Sequence, residues 1–304
     1  MIRFCAMICI ALMAMPEAVS AQSRERIGYG RLITNDFFGD GRDRWRSGSF
    51  VSSRVWGYGW SGALPDRPGD ILELRFGAEI VGPDNLIAPA PGDRRYGTAL
   101  SLGLHTHFER GGTEIALGAD LVMTGPQTRL SDLQAGFHDL LGMDKASSAV
   151  RAAQIGNGLH PTAVLEAGRV VDLGGAARLR PFVEARAGAE TLLRAGADLT
   201  IGALGRDELM LREAVTGQRY RTMQGASVGY ALVLGADVAT VESSVFLPSG
   251  GGAELRDSRT RLRAGLHWQG AQTSLFYGLT WLGKEFEGQD EGQLVGSVRL
   301  NFNF

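Results

Sequence analysis

Alternation of apolar and polar residues at period two, repeated over segments of about ten residues, constrains this chain more than any other feature. In Leu72, Leu74, Phe76, Ala78 and Ile80 the interleaved partners are Glu73, Arg75, Gly77 and Glu79. Leu100, Leu102, Leu104, Thr106 and Phe108 enclose Ser101, His105 and His107. Arg259, Arg261, Arg263 and His267 alternate with Thr260, Leu262, Ala264, Leu266 and Trp268. The last segment puts Leu294, Gly296, Val298, Leu300, Phe302 and Phe304 on one face. Successive strand side chains point to opposite sides, so each segment is a strand between two different solvents. A water-soluble sandwich alternates too, but a run of about ten residues is the length a tilted membrane strand needs. Trp268, Tyr277, Trp281 and Phe302 fall near segment ends, where an interfacial girdle would place them.

The pattern predicts an all-β chain: a transmembrane antiparallel β-barrel of about 12 strands with a short helical extracellular loop. Strands are expected near 26–36, 44–60, 70–82, 96–109, 112–124, 158–172, 176–190, 194–204, 225–239, 257–269, 272–285 and 291–304. The charged segment 205–224 reads as a longer irregular connection. An even count suits a bacterial barrel, and a terminal aromatic such as Phe304 is how last strands of such barrels end. Forty-three glycines and a near-zero mean hydropathy fit a wall that is half apolar and half polar.

Residues 1–21 read as a secretory signal, leaving 22–304 as the barrel. Arg3 supplies the positive start, Met7 to Met15 the apolar stretch, and Val19-Ser20-Ala21 a small-residue cleavage site. Both cysteines, Cys5 and Cys9, lie in that segment, so a mature chain has no thiol for disulfides, zinc or nucleophilic catalysis. The net charge of −2 gives no hint of a nucleic-acid partner.

With a periplasmic N-terminus, loops near 37–43, 83–95 and 125–157 share the extracellular rim. Gly111-Gly112, Gly174-Gly175 and Gly270-Ala271 make the tight periplasmic turns. Two features meet on the loop rim. Between Thr34 and Ser49 the chain crowds Asn35, Asp36, Asp40 and Asp43 among Arg42, Arg44 and Arg46, a charge density that points to a cation or phosphate site. In the longest loop, Leu133, Phe137, Leu140 and Leu141 recur at helical spacing around His138. An imidazole there can take a proton from water as general base, or be a polar residue on an exposed loop helix. Asn35, Asp36, Ser47 and Asp144 all offer the hard oxygens that calcium takes.

Three separated motifs, in order, resemble those of the lipid A 3′-O-deacylases, outer-membrane enzymes of the LpxR type. Asn35-Asp36 matches the first, and Asp43-Arg44 with Ser47 the second, Ser47 standing where threonine is usual. Gln134, His138, Gly142 and Asp144 match the third, Asp144 replacing a glutamate. The resemblance implies a monomeric carboxylic ester hydrolase that removes the 3′-linked acyl chain of lipid A from lipopolysaccharide. It implies His138 as general base, with Asn35, Asp36 and Ser47 at the catalytic site and Asn35, Asp36 and Asp144 toward a calcium ion. The loop around Ile87 to Pro91 is apolar where some members carry lysines for lipid phosphates; Arg42, Arg44, Arg94 and Arg95 are the alternatives.

Other signals point elsewhere. Gly225 to Gly229 fits Gly-x-Ser-x-Gly around Ser227, but a nucleophile elbow needs a strand-to-helix turn. That argues against an outer-membrane phospholipase. His105 and His107 face the lumen as polar lining, with metal binding the alternative. Asp36, Asp40 and Asp43 lack EF-hand spacing. Glu73, Arg75, Glu79, Arg178, Arg180, Glu184 and Arg186 read as a solvated or mutually paired interior. The rival reading is a non-enzymatic porin or structural barrel, which explains the alternation equally well.

Overall fold

In a computed structural model the chain is described over residues 23–223, 225 and 227–302; the signal read over 1–21 and the terminal Phe304 lie outside these. Twelve long antiparallel strands close on themselves: β1 (Glu25–Asn35), β2 (Trp45–Gly57), β3 (Leu72–Gly82), β4 (Gly97–Arg110), β5 (Thr113–Thr124) and β6 (Gly158–Gly168) form one half. The other half is β7 (Ala177–Ala187), β8 (Glu190–Gly202), β9 (Gly229–Ser244), β10 (Ser258–Gln269), β11 (Thr273–Leu282) and β12 (Gln293–Phe302). Neighbours pair in sequence order, and β1 pairs β12 with Ile33 opposite Val298, which closes the sheet. A closed barrel satisfies every backbone group between strands, which is why it tolerates a lipid surround. Among the described residues no helix is long and apolar enough to cross a membrane.

The alternation predicted from sequence is the wall. Leu74, Phe76, Leu102, Leu104, Leu262 and Leu266 are exposed on the outside, while Glu73, His105, His107, Arg261 and Arg263 are buried inside. The two histidines are lining: His105 Nε2 lies 2.7 Å from Asp120 Oδ1 and His107 Nε2 lies 2.7 Å from Glu73 Oε2.

Segment 205–224, expected as a longer irregular connection, is more ordered than that over its described residues. The connection between β8 and β9 carries a hairpin inside the lumen, Met210–Arg212 against Arg219–Arg221. Leu209, Leu211, Tyr220 and Met223 pack against Leu32, Val51, Val55, Ile71 and Phe276 of the wall. Arg212 bridges Glu166 (2.9 Å) and Asp198 (2.8 Å) and stacks on Phe182. Buried arginine needs such pairing, since an uncompensated charge in a dry interior is costly. The hairpin was illegible because each of its strands is three residues long and buried on both sides.

At the opposite end the long loops carry α1 (Leu130–Leu141) and α2 (Ser148–Ala152). Gly142 ends α1 in the left-handed conformation (φ 67°), a capping geometry that costs glycine little. α2 is capped by Ser147, whose hydroxyl accepts from Val150 N.

Candidate functional site

A β-bulge creates the site. β2 and β3 pair Trp45 with Gly82 and Gly48 with Ile80, so two residues of β2, Arg46 and Ser47, oppose Val81 alone. Trp45 takes a positive φ of 47° there, unusual for a bulky residue. The extra residue turns Arg46 into the lumen, where it pairs with Glu285 (2.8 Å) and with Glu79. Ser47 turns the other way. A Cβ built on Gly82 would lie beside Leu86, Tyr96 and Ser47 Oγ, so these share one side of the wall.

That side is the outside. Ile80 continues the outward row of Leu74, Phe76 and Ala78, yet it packs with Leu86, Tyr96 and Val150. The loops therefore fold over the outer face of the barrel at its rim. The first loop does the same beside it: a Cβ on Gly296 of β12 would meet the Phe38 carbonyl, and Tyr277 donates to that carbonyl at 2.8 Å.

The first loop is drawn shut by Asp36. Its Oδ2 accepts from Arg44 N at 2.9 Å, and Asn35 Oδ1 accepts from Phe37 N at 2.8 Å to cap the intervening turn. Burial, with Asp43 and Asp40 nearby, pushes the Asp36 carboxyl up to about 8. The Arg44 guanidinium sits over the Trp45 ring, 4.1 Å from its centroid, and reaches Asp40 (3.2 Å), Asp84 (3.4 Å) and Glu291 (3.1 Å), tying three loops together.

His138 is buried, at 6 % exposure, which removes the reading of a solvated loop residue. The face of α1 toward the barrel is Ser131, Gln134 and His138, and Tyr96 Oη donates to Gln134 Oε1 at 2.6 Å to seat it. His138 Nδ1 lies 2.5 Å from the Asp144 carbonyl. A carbonyl can only accept, so Nδ1 carries the proton and Nε2 is the free position in the neutral ring. Nε2 lies 3.3 Å from Asp43 Oδ2. Burial raises the Asp43 carboxyl above its ordinary range, opposed by His138 and by the Ser47 hydroxyl. Asp43 Oδ2 and Ser47 Oγ are both buried and neither is held in a well-formed hydrogen bond; the groups that face the Asp43 carboxyl are His138 and the Ser47 hydroxyl.

The structure thus brings Asp36, Asp43, Ser47 and His138 into one region of the rim. Asn35 adjoins it with one amide lone pair already used. The Asp144 side chain is exposed and its carbonyl touches the site. Sequence reasoning placed Asp43 in a motif but missed its partnership with His138, and it missed Tyr96. Of the arginines considered for phosphates, Arg44 and Arg94 are buried in ion pairs, while Arg42 and Arg95 are exposed. Among the described residues no three His, Cys, Asp or Glu side chains are arranged to hold a metal. The buried oxygens of Asp43 and Ser47 beside Asp36, neither held in a well-formed hydrogen bond, are nevertheless the donor types a hard cation takes.

The family model described as "Outer membrane protein LpxR" matches residues 4–304. The solved structure of LpxR from Salmonella typhimurium aligns with a TM-score of 0.74 at 17 % identity, covering 91 % of this chain and 100 % of that one. The NanC porin aligns with a TM-score of 0.40 at 6 % identity over 91 % of this chain and 100 % of its own. The KdgM porin aligns with a TM-score of 0.40 at 6 % identity over 91 % and 98 %. No curated protein matches the chain.

Proposed function

From the premise that this chain belongs to the LpxR family of outer-membrane proteins, we propose that it is a lipid A 3′-O-deacylase with His138 as general base. The observation that carries this reading is the position of His138, Asp43 and Ser47 on the outer side of the barrel wall at its loop rim. A lipid in the surrounding leaflet reaches such a site sideways, without entering the lumen.

The chemistry follows from the side chains. His138 Nε2 takes a proton from water, and the water oxygen adds to the 3′-acyl carbonyl. Asp43 stabilises the imidazolium as it forms, and the Asp144 carbonyl keeps Nδ1–H in place. Ser47 Oγ, buried beside the Asp43 carboxyl, has a proton to donate to the oxyanion. The intermediate collapses by breaking the bond to the sugar oxygen, which takes the proton back from His138. The products are a free fatty acid and the 3′-hydroxyl of the deacylated lipid. Calcium, bound through Asp36 with Asn35, Asp43 or Ser47 oxygens, would supply Lewis-acid polarisation of the carbonyl. The Asp144 carboxylate is a weaker candidate for that ion than the resemblance implies, because it is exposed while its carbonyl serves His138.

The porin reading meets a lumen occupied by the inner hairpin and its arginine pairs. Mass spectrometry of lipid A after incubation with the folded barrel, with calcium or chelator, tests the proposal. Loss of one 3′-acyl mass, absent in His138→Ala, is expected; unchanged lipid A of several acylation types would overturn it.

A further inference from the structure

α1 has three faces, and only one is accounted for by the barrel. Ser131, Gln134 and His138 face the wall. At about 100° per residue, Leu133, Phe137, Leu140 and Leu141 form a contiguous arc of roughly 100° on one flank. Asp132 and Asp139 lie on the opposite flank. The apolar flank is open: Leu133 and Phe137 are 56 % exposed, Leu141 64 % and Leu140 80 %. The polar flank is tied up in ion pairs, Asp132 with Arg151 at 2.6 Å and Asp139 with Lys145 at 2.5 Å.

Exposed apolar surface of this extent on one side of a short helix marks a partner. The register of β3 says which. α1 is seated through Tyr96, and Tyr96 packs on Ile80, the top of an outward row that includes exposed Leu74 and Phe76. The helix therefore stands over the lipid-facing wall of an outer-membrane barrel. Phe37 and Phe38, edge-to-face with ring centroids 6.0 Å apart, extend the same rim beyond β12 and are exposed by 64 % and 39 %.

We propose that α1 is an interfacial helix whose Leu133, Phe137, Leu140 and Leu141 flank is buried in the acyl layer of the surrounding leaflet. The bilayer thus completes the seat of the helix, with His138 facing the wall and Asp132 and Asp139 facing water. A second copy of the chain, or a fixed protein partner, would cover the same flank only by burying it from lipid and water alike.

Nitroxide labels read this directly. In the full chain carrying Cys5→Ser and Cys9→Ser, labels are placed at Leu140→Cys, at Phe137→Cys as a second site, and at Asp139→Cys on the polar flank. The protein is folded into phosphatidylethanolamine–phosphatidylglycerol vesicles, with barrel formation checked by heat-dependent gel mobility. The ratio of collision with oxygen to collision with a water-soluble nickel chelate is then measured. Labels at Leu140 and Phe137 should give a ratio severalfold above the label at Asp139. Equal access of the chelate to both flanks would overturn the proposal, as would a Leu140 label shielded from both probes. The readout needs no turnover, so it stands or falls apart from the deacylase reading.

Discussion

His138 Nε2 stands 3.3 Å from Asp43 Oδ2 although one lies on a helix after β5 and the other in the loop before β2. The pair assembles only when α1 is seated against the outer wall, so its integrity reports on the whole rim. On the deacylase reading, replacing Asp43 with Asn keeps the shape and removes the charge proposed to stabilise the imidazolium. Deacylase kcat should fall by roughly 10²-fold, within the range general-base assistance contributes. His138→Ala should abolish the reaction while barrel formation, read by gel mobility, is unchanged. A D43N protein with wild-type kcat would remove Asp43 from the site.

Asp36 gives the first loop a pH dependence. Its folded carboxyl is pushed up to about 8 from an ordinary value of 3.8, so the folded state binds more protons than the unfolded one between those values. The loop's stability is then full at low pH and is lost as pH rises through about 8. Hydrogen-exchange protection of segment 36–44, taken relative to the intrinsic base-catalysed rate at each pH, should fall across that window in the wild type and stay constant in Asp36→Asn. Calcium affinity should rise with pH over the same range, because the carboxyl must lose its proton to ligate.

Tyr96 holds α1 by a single neutral donation to Gln134 at 2.6 Å. Tyr96→Phe leaves the ring packed and should weaken the seat by about 1 kcal/mol. Faster proteolysis within 130–142 and lower activity are expected together, with the barrel melting unchanged.

Gly296 faces outward beneath the Phe38 carbonyl, and a side chain there displaces the turn. Gly296→Leu is a favourable change for a lipid-facing strand position on its own. It should therefore leave the barrel folded while lifting Asp36 out of its burial, with a loss of activity and of the pH dependence described above.

The inner hairpin predicts a conductance phenotype. Arg212→Ala removes a partner from Glu166 and Asp198, each still held by another arginine, at a cost of about 2 kcal/mol. Planar-bilayer recordings should show a quiet wild type, and larger or more frequent openings when 205–224 is deleted.

The wall was legible because lipid and lumen impose opposite chemistry on alternate residues, and segments such as Leu72–Ile80 carry that signature. The hairpin was not, because Leu211 and Tyr220 meet protein on every side and leave no period to read. At the site, the residue types of Asn35, Asp36, Ser47 and His138 were evident, and their resemblance to a known family fixed their grouping. The bulge was invisible: nothing in Trp45-Arg46-Ser47 announces an extra residue, yet it alone sends Ser47 outward and Arg46 inward. Tyr96 gave no signal either, since a tyrosine before a strand is ordinary until its hydroxyl is seen to hold a helix.

A catalytic group on the outside of the wall changes the kind of encounter that limits the reaction. On the deacylase reading, collisions happen in two dimensions, between neighbours drifting in one sheet of molecules. Turnover then follows the mole fraction of substrate among the surrounding lipids, and diluting it with inert amphiphile at constant bulk concentration slows the enzyme.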